Sequence, residues 1–187
     1  MGLDDLTCCI ENLQQRMQAH GIILREYETR TRMALIDPLL NALGWDTNDP
    51  GLVIPEYKVS DGWADYALLR PDGHPAAVIE AKKLGTMLDV KVRRQMLNYA
   101  NESGIEYAGL TDGNNWELYK VFQPGPLDER QILKVSIAAA QTHESALRLL
   151  VLWRPNLASG QPVPACEPIL GVGEKPRPVP VLSLIHI

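Results

Sequence analysis

The stretch WADYALLRPDGHPAAVIEAK, residues 63–82, decides the fold. Residues 63–69 and 76–81 are short, mostly apolar runs, and Arg70, Pro71, Asp72 and Gly73 stand between them. That quartet is a turn signal, because proline pre-sets one backbone angle and glycine accepts a left-handed one. The two runs read as strands of a hairpin. With the turn centred between Asp72 and Gly73, Asp65 lies opposite Glu80. Lys82 follows on the same face, since side chains alternate with period two. Two acids and an amine thus meet at one end of the hairpin, although a slip of one residue in the turn would shift the pairing.

The residues around these three are Ala64, Tyr66, Ala67, Val78, Ile79 and Ala81. Strands of this composition are covered on both faces, where an unpaired carboxylate is costly. Two carboxylates side by side repel unless a cation lies between them, and oxygen ligands around a partly hydrated site suit Mg²⁺ or Mn²⁺. Beside such a cation, Lys82 can orient or help deprotonate a water and stabilise charge developing on a phosphate. A plainer reading exists: Asp65 and Lys82 as a cross-strand salt bridge, with Glu80 solvated at a strand end. A lone Glu-X-Lys favours that reading, because short motifs match by chance.

Outward from the hairpin, apolar residues recur at helical spacing. Leu3, Leu6, Ile10, Leu13 and Met17 predict an amphipathic helix ending near Gly21. A second helical pattern covers 28–43, with Met33, Ile36, Leu40 and Leu43 on one side and Gly44 ending it; Pro38 predicts a kink or two short helices. Residues 88–101 read as a helix with Leu88, Val92, Met96 and Tyr99 as the buried stripe. Residues 105–111 and 116–122 read as strands around the turn at 112–115; 133–137 adds a strand and 144–153 a last helix. Trp45, Trp63, Trp116 and Tyr119 read as core. The domain therefore spans 1–153. From 154 to 187 the chain carries seven prolines, which predicts a linker or extended tail, and its apolar ending predicts a truncated chain.

Bulk properties narrow the function classes. The 187 residues suit one ordinary domain, and 45% hydrophobic with 22% charged residues argues for a packed core. No apolar run approaches the roughly 20 residues of a membrane span, and the start lacks a signal peptide, so a cytoplasmic protein is expected. Cys8, Cys9 and Cys166 fit no metal spacing, and neither do the four scattered histidines. The net charge of −5 gives no global sign of nucleic-acid binding. Locally, however, Lys82, Lys83, Lys91, Arg93 and Arg94 face only Glu80 and Asp89, a basic stretch that a solvated helix face explains equally well.

Asp65 followed by Val78, Ile79, Glu80, Ala81 and Lys82 resembles the PD-(D/E)XK nuclease signature, with Ala64 where the family name has proline. Gln95 and Tyr99 resemble the Gln-x-x-x-Tyr motif of one branch. Residues 28–46, with Glu28, Arg30, Pro38, Gly44 and Trp45, are similar to the first helix of type I restriction enzyme R-subunit N-terminal domains. Thr111, Asp112 and Gly113 with Trp116 and Tyr119 resemble the hairpin that closes those domains. The resemblance spans about 25–122, with the motifs in the family's order.

It implies an α/β, restriction-endonuclease-like fold, a mixed central sheet flanked by helices, and hydrolysis of DNA phosphodiesters with Mg²⁺ or Mn²⁺. Asp65 and Glu80 become metal ligands, Glu28 helps complete the metal site, and Lys82 is the catalytic amine. Gln95 and Tyr99, four apart on one helix face, look toward the site or the DNA, although Tyr99 also belongs to the apolar stripe. Lys83, Arg94 and Arg30 are candidate phosphate contacts, with a solvated surface or an acid partner as the alternative. Specificity and methylation subunits are the implied partners, besides DNA. The family's ATP-driven motor has no counterpart here, since no Gly-x-x-x-x-Gly-Lys-Ser/Thr loop occurs in the sequence. A catalytically silent module that binds DNA or docks onto partners is the alternative function.

Overall fold

A computed structural model of the chain describes residues 2–60 and 62–160. Its centre is one six-stranded sheet whose strands lie side by side in chain order. They are β1 (Val53–Val59), β2 (Gly62–Leu69), β3 (Pro75–Ala81), β4 (Tyr107–Thr111), β5 (Asn115–Lys120) and β6 (Gln131–Ser136). All neighbours are antiparallel except β3 and β4. Parallel strands cannot be joined by a tight turn. Between them the chain forms α4 (Val90–Glu102), begun by Asp89, whose carboxylate accepts the Val92 N–H at 2.9 Å.

The β2–β3 hairpin carries the expected register: Tyr66 faces Ile79, Ala67 faces Val78 and Leu68 faces Ala77. Near the turn the pairing shifts by one, to Leu69 with Pro75. Both faces of the hairpin are covered, which explains its unbroken apolar runs. Leu68, Ala77 and Ile79 join a core with α1 (Leu3–Leu24), α3 (Asp37–Ala42) and α6 (Thr142–Leu149), while Ala67, Leu69 and Val78 join a second core under Met96, Leu97 and Ala100 of α4.

The helical run after α1 keeps the expected interruption but changes which residues face inward. Of the two expected forms, two short helices occur, α2 (Glu28–Thr31) and α3 with Pro38 in its first turn, but a π-helical turn, Arg32–Ile36, joins them. Pro38 has no N–H and its ring crowds the carbonyl four residues back, so a widened turn ahead of it resolves the conflict. The Asp37 N–H then bonds the Arg32 carbonyl, five residues back. The wider turn rotates the helix phase. Met33, expected on the buried side, is 69% exposed, whereas Leu35 and Leu39 join Ile36, Leu40 and Leu43 inside.

Other boundaries also move. Helix α1 runs past Gly21 to Leu24, and Leu3 at its start is exposed. Strand β1 was not expected, because Pro55, Glu56 and Lys58 give it an exposed, polar character typical of a sheet edge. A short α5 (Leu127–Arg130) precedes β6, and α6 ends in a 3₁₀ turn, Leu150–Leu152. The start of the expected tail is folded: α7 (Arg154–Leu157) buries Leu157, and the Arg154 N–H bonds the Leu43 carbonyl at 3.0 Å. The rest of the Pro-rich stretch, residues 161–187, lies outside the described residues. No helix among the described residues is long and apolar enough to cross a membrane.

Candidate active site

Asp65 stands where β2 loses its regular alternation. Ala64 packs in the α4 core and Tyr66, two residues on, in the opposite core, so the side-chain phase flips between them. Across the strand pair, Glu56 takes φ 49°, the one left-handed non-glycine among the described residues, and neither Glu56 nor Asp65 is paired in the β1–β2 ladder. Such an irregularity re-aims a side chain. Here the Asp65 carboxylate turns across the hairpin and Oδ2 accepts the Ala81 N–H at 2.7 Å, just beyond the last paired residues, Tyr66 and Ile79. The expected juxtaposition of Asp65 with the Glu80–Lys82 strand end thus forms through a side-chain bond.

Glu80, next to last in β3, is half-buried, and Lys82 Nζ donates to its Oε1 at 2.6 Å. The same ammonium lies 4.0 Å from Glu28 Oε2, so the first helical turn of α2 closes the site. This differs from the plainer pairing: Lys82 bonds Glu80 and reaches toward Glu28, while Asp65 takes Arg32 Nη1 at 3.2 Å. Burial is the main force raising the Glu80 carboxyl above its ordinary pKa; the Lys82 bond and charge oppose it, and Asp65 and Glu28 add to it. Glu28 is likewise raised, by burial first and then by Asp65. Burial works to lower Lys82, but the Glu80 hydrogen bond and the surrounding acids outweigh it, so the amine is held protonated. A protonated Lys82 can stabilise anionic charge; it cannot take a proton in this state.

The donor set has the chemistry a hard divalent cation selects, three carboxylates, of which Asp65 disfavours ionisation of Glu28, and Asp65 and Glu28 that of Glu80. Asp65 Oδ1 is taken by Arg32 and Glu80 Oε1 by Lys82, and no group of three or more His, Cys, Asp or Glu among the described residues is gathered closely enough to hold a metal ion.

Helix α4 forms the opposite wall. Gln95 and Tyr99 share one face, and the Gln95 amide donates to the Tyr99 hydroxyl at 2.9 Å. Both line a cleft of about 290 Å³ with Glu80, Lys82, Trp63 and Gly62. Tyr99 is therefore partly buried and partly wall, whereas Trp63, expected in the core, is 64% exposed at the cleft mouth. Its neighbour Gly62 leaves room for Tyr99: a Cβ there would stand 2.9 Å from the ring. Trp45, Trp116 and Tyr119 are buried as expected. Lys83 and Arg94 are exposed, and Arg30 pairs with Glu26, just ahead of α2, and lies over the Tyr27 ring. Sequence reading singled out Arg30 and passed over Arg32. The available signal was the four-residue step from Glu28 to Arg32, which places both on one helix face.

Behind the site, Thr111, Asp112 and Gly113 are structural. Lys82 N–H bonds the Thr111 carbonyl at 2.8 Å, and the buried Asp112 carboxylate accepts from the Gly85 and Asn115 N–H groups at 3.0 and 2.6 Å. Thr31 Oγ1 accepts the Leu84 N–H at 2.9 Å and donates to the Leu24 carbonyl. The loop leaving Lys82 is thereby tied to both β4 and α2.

No family model matches the chain, and no curated protein does. Solved structures do. The chain is similar to the protein of the DrdV–DNA complex, at a TM-score of 0.50 and 17% identity over 80% of this chain. Two further similar structures are the type IIG restriction endonuclease BpuSI (TM-score 0.48, 17% identity, 66% of this chain) and a fragment of a putative HsdR subunit of a type I restriction enzyme from Vibrio vulnificus YJ016 (0.44, 23%, 56%). Over the matched 80%, the chain shares the fold of the protein in the DrdV–DNA complex. At these identities the likeness is one of fold. The chain spans 14% of the length of the DrdV protein, 16% of BpuSI and 24% of the HsdR fragment.

Proposed function

We propose that this chain is a metal-dependent endonuclease domain that hydrolyses DNA phosphodiesters, as in the R subunit of a type I restriction system. The observation that carries the proposal is the convergence of Asp65, Glu80, Lys82 and Glu28, from two strands and a helix, at one end of a hairpin in a restriction-endonuclease fold. Asp65 and Glu80 would hold Mg²⁺ or Mn²⁺, with Glu28 completing the set. Such a cation, when bound, polarises a phosphoryl oxygen and acidifies water. Lys82, held protonated, stabilises charge developing on the phosphate. Gln95 and Tyr99 form the wall against which the DNA backbone lies, and the exposed Lys83 and Arg94 contribute positive charge along it. The protein of similar fold in the DrdV–DNA complex is bound to DNA, which supports DNA as the partner. Specificity and methylation subunits are the further partners of the type I reading.

A second reading, a catalytically silent DNA-binding or docking module, is favoured by the closed ion pairs Asp65–Arg32 and Glu80–Lys82. Plasmid nicking separates the two. The purified chain with Mg²⁺ or Mn²⁺ is expected to nick supercoiled DNA, and Asp65→Ala and Lys82→Ala to abolish nicking. Undiminished activity in both variants would refute the site. DNA retention on a gel without any nicking would favour the silent module.

A further inference from the structure

The open end of the β2–β3 hairpin is a fork. Its last paired residues are Tyr66 and Ile79, so Gly62 and Trp63 on one prong stand apart from Glu80 and Lys82 on the other. The cleft of about 290 Å³ occupies the gap, and Val92, Gln95, Met96 and Tyr99 of α4 close it. Fixed contacts hold its shape. Ser60, just after β1, donates its N–H to Ser103 Oγ at 3.1 Å and its hydroxyl to Glu102, at the C-terminal end of α4. The Tyr99 ring fits against Gly62, where no side chain intervenes. A ligand entering a preformed cleft avoids most of the cost of ordering it. Trp63 is the anomaly of this cleft: it is 64% exposed, while Trp45 and Trp116 are at 0% and 1%. Its cross-strand neighbour is Lys58, which has no ion-pair partner among the described residues. Lys91 and Arg94, exposed on α4 beside the cleft residues Val92 and Gln95, have none either.

We propose that the fork takes one unpaired nucleobase of single-stranded DNA, stacked on the Trp63 indole, with the backbone drawn along α4 by Lys58, Lys91 and Arg94. The proposal rests on the reading of DNA as the partner and narrows the substrate to DNA with an unpaired stretch. In a duplex each base face is covered by its neighbours in the stack, so an aromatic ring finds no face to meet; an unpaired base presents one. Size points the same way. The cleft lies at the small end of the roughly 300–1,000 Å³ range of ligand cavities, room for one flat ring system and not for a helix. An exposed aromatic ring amid unpaired cations is also how proteins hold single strands without reading their sequence. Lys82 lines the same cleft, so the phosphate next to the seated base is the one its ammonium meets.

Fluorescence anisotropy with the intact chain, in EDTA so that no strand is cut, tests this. The probes are a labelled mixed-sequence single strand and the blunt duplex it forms with its complement. Wild type is expected to bind the single strand more tightly. Trp63→Ala and Trp63→Leu are each expected to weaken that binding about tenfold or more, and Trp63→Phe to stay within about threefold, because stacking needs a flat ring and not apolar bulk alone. Duplex binding, carried by charge, is expected to stay within about twofold in all three variants. Indole emission is a second readout: the single strand quenches wild type but not Trp63→Phe, since Trp45 and Trp116 are buried and Trp153 does not line the cleft. Unchanged single-strand affinity in Trp63→Ala, equal losses on both DNAs, or a wild type that prefers the duplex would overturn the stacking and leave DNA as the partner. Unchanged affinity together with a dimer that becomes monomer in Trp63→Ala would assign the indole to a second copy of the chain. If wild type binds neither DNA, the reading of DNA as the partner fails and the proposal with it.

Discussion

Helix α4 carries the cleft wall, and one buried ion pair pins it to the sheet. The Glu117 carboxylate on β5 is 5% exposed and accepts Arg93 Nε and Nη2, each at 2.7 Å, with the Tyr119 hydroxyl at 2.8 Å. Arg93→Met keeps most of the apolar stem and removes the fork, leaving Glu117 with a single hydroxyl donor. Removing one partner of a buried pair costs about 3–5 kcal/mol, because the surviving charge is desolvated and uncompensated. Arg93 is 20% exposed, so water reaches the vacated position, and the low end, about 3 kcal/mol, is expected. For a domain of this size that corresponds to a fall in Tm of about 6–12 °C. Urea unfolding of wild type, Arg93→Met and the double variant Arg93→Met/Glu117→Gln measures it. Glutamine still accepts the Tyr119 hydroxyl without carrying charge, so the double variant is expected to recover at least half of the loss. A loss under about 1 kcal/mol in the single variant, or a double variant no better than the single, would refute the claim that burial of an unpaired charge sets the cost.

Three further outcomes are expected. The Glu80 carboxyl is raised in the folded chain by burial, so ionising it opposes folding; that cost is full above the folded pKa and disappears below the ordinary 4.5. Metal-free Glu80→Gln therefore melts above wild type at pH 7, and the gap closes on titration toward pH 4; a gap that widens as pH falls contradicts the sign. Gly113 and Gly73 both take positive φ, 83° and 82°, but a Cβ at Gly113 meets Leu35 at 2.9 Å and Thr31 at 3.0 Å, while Gly73 has nothing within 4 Å. Gly113→Ala should cost about 2 kcal/mol or more and Gly73→Ala about 1, measured by urea unfolding; equal costs would mean that packing behind the site contributes nothing. Gly62→Val pushes the Tyr99 ring off its position and breaks the bond from Gln95, so nicking should fall about tenfold with little change in Tm, since the contact lies at a partly exposed wall.

The hairpin was legible because its signals agree: a proline–glycine turn, apolar runs on both sides, and a charged residue appearing only where the strands leave the core. Its register followed from the turn alone, and the observed pairs Tyr66–Ile79 through Leu68–Ala77 keep it up to the bulge. Strand β1 was not legible. Its partner β2 is apolar on both faces, but β1 lies at the sheet edge, where Pro55 is tolerated and polar side chains face water, so neither alternation nor β-propensity marks it. The helix of residues 28–42 shows a different failure. Counting in steps of 3.6 holds only while every turn closes four residues back; Pro38 forces one turn wider, and Met33 and Leu35 exchange faces.

That same exchange bears on the site. Asp65, Glu80, Lys82 and Glu28 could be read because each belongs to a pattern of residue types. For Arg32 only a shared helix face with Glu28 was available, because its contact with Asp65 arises where two backbone irregularities meet: the π-helical turn that begins with it and the strand break that turns Asp65 toward Ala81. The first follows from Pro38, but the strand break has no residue-type signature of its own. Their meeting explains how three acids coexist in a half-buried cluster without metal. Asp65 is compensated from the helix, Glu80 from its own strand by Lys82, and Glu28, the most exposed of the three, needs only the far side of the same ammonium. Each acid's compensation is set by a neighbouring cation, so a change at Arg32 or Lys82 acts on the cluster as directly as a change at the acids themselves.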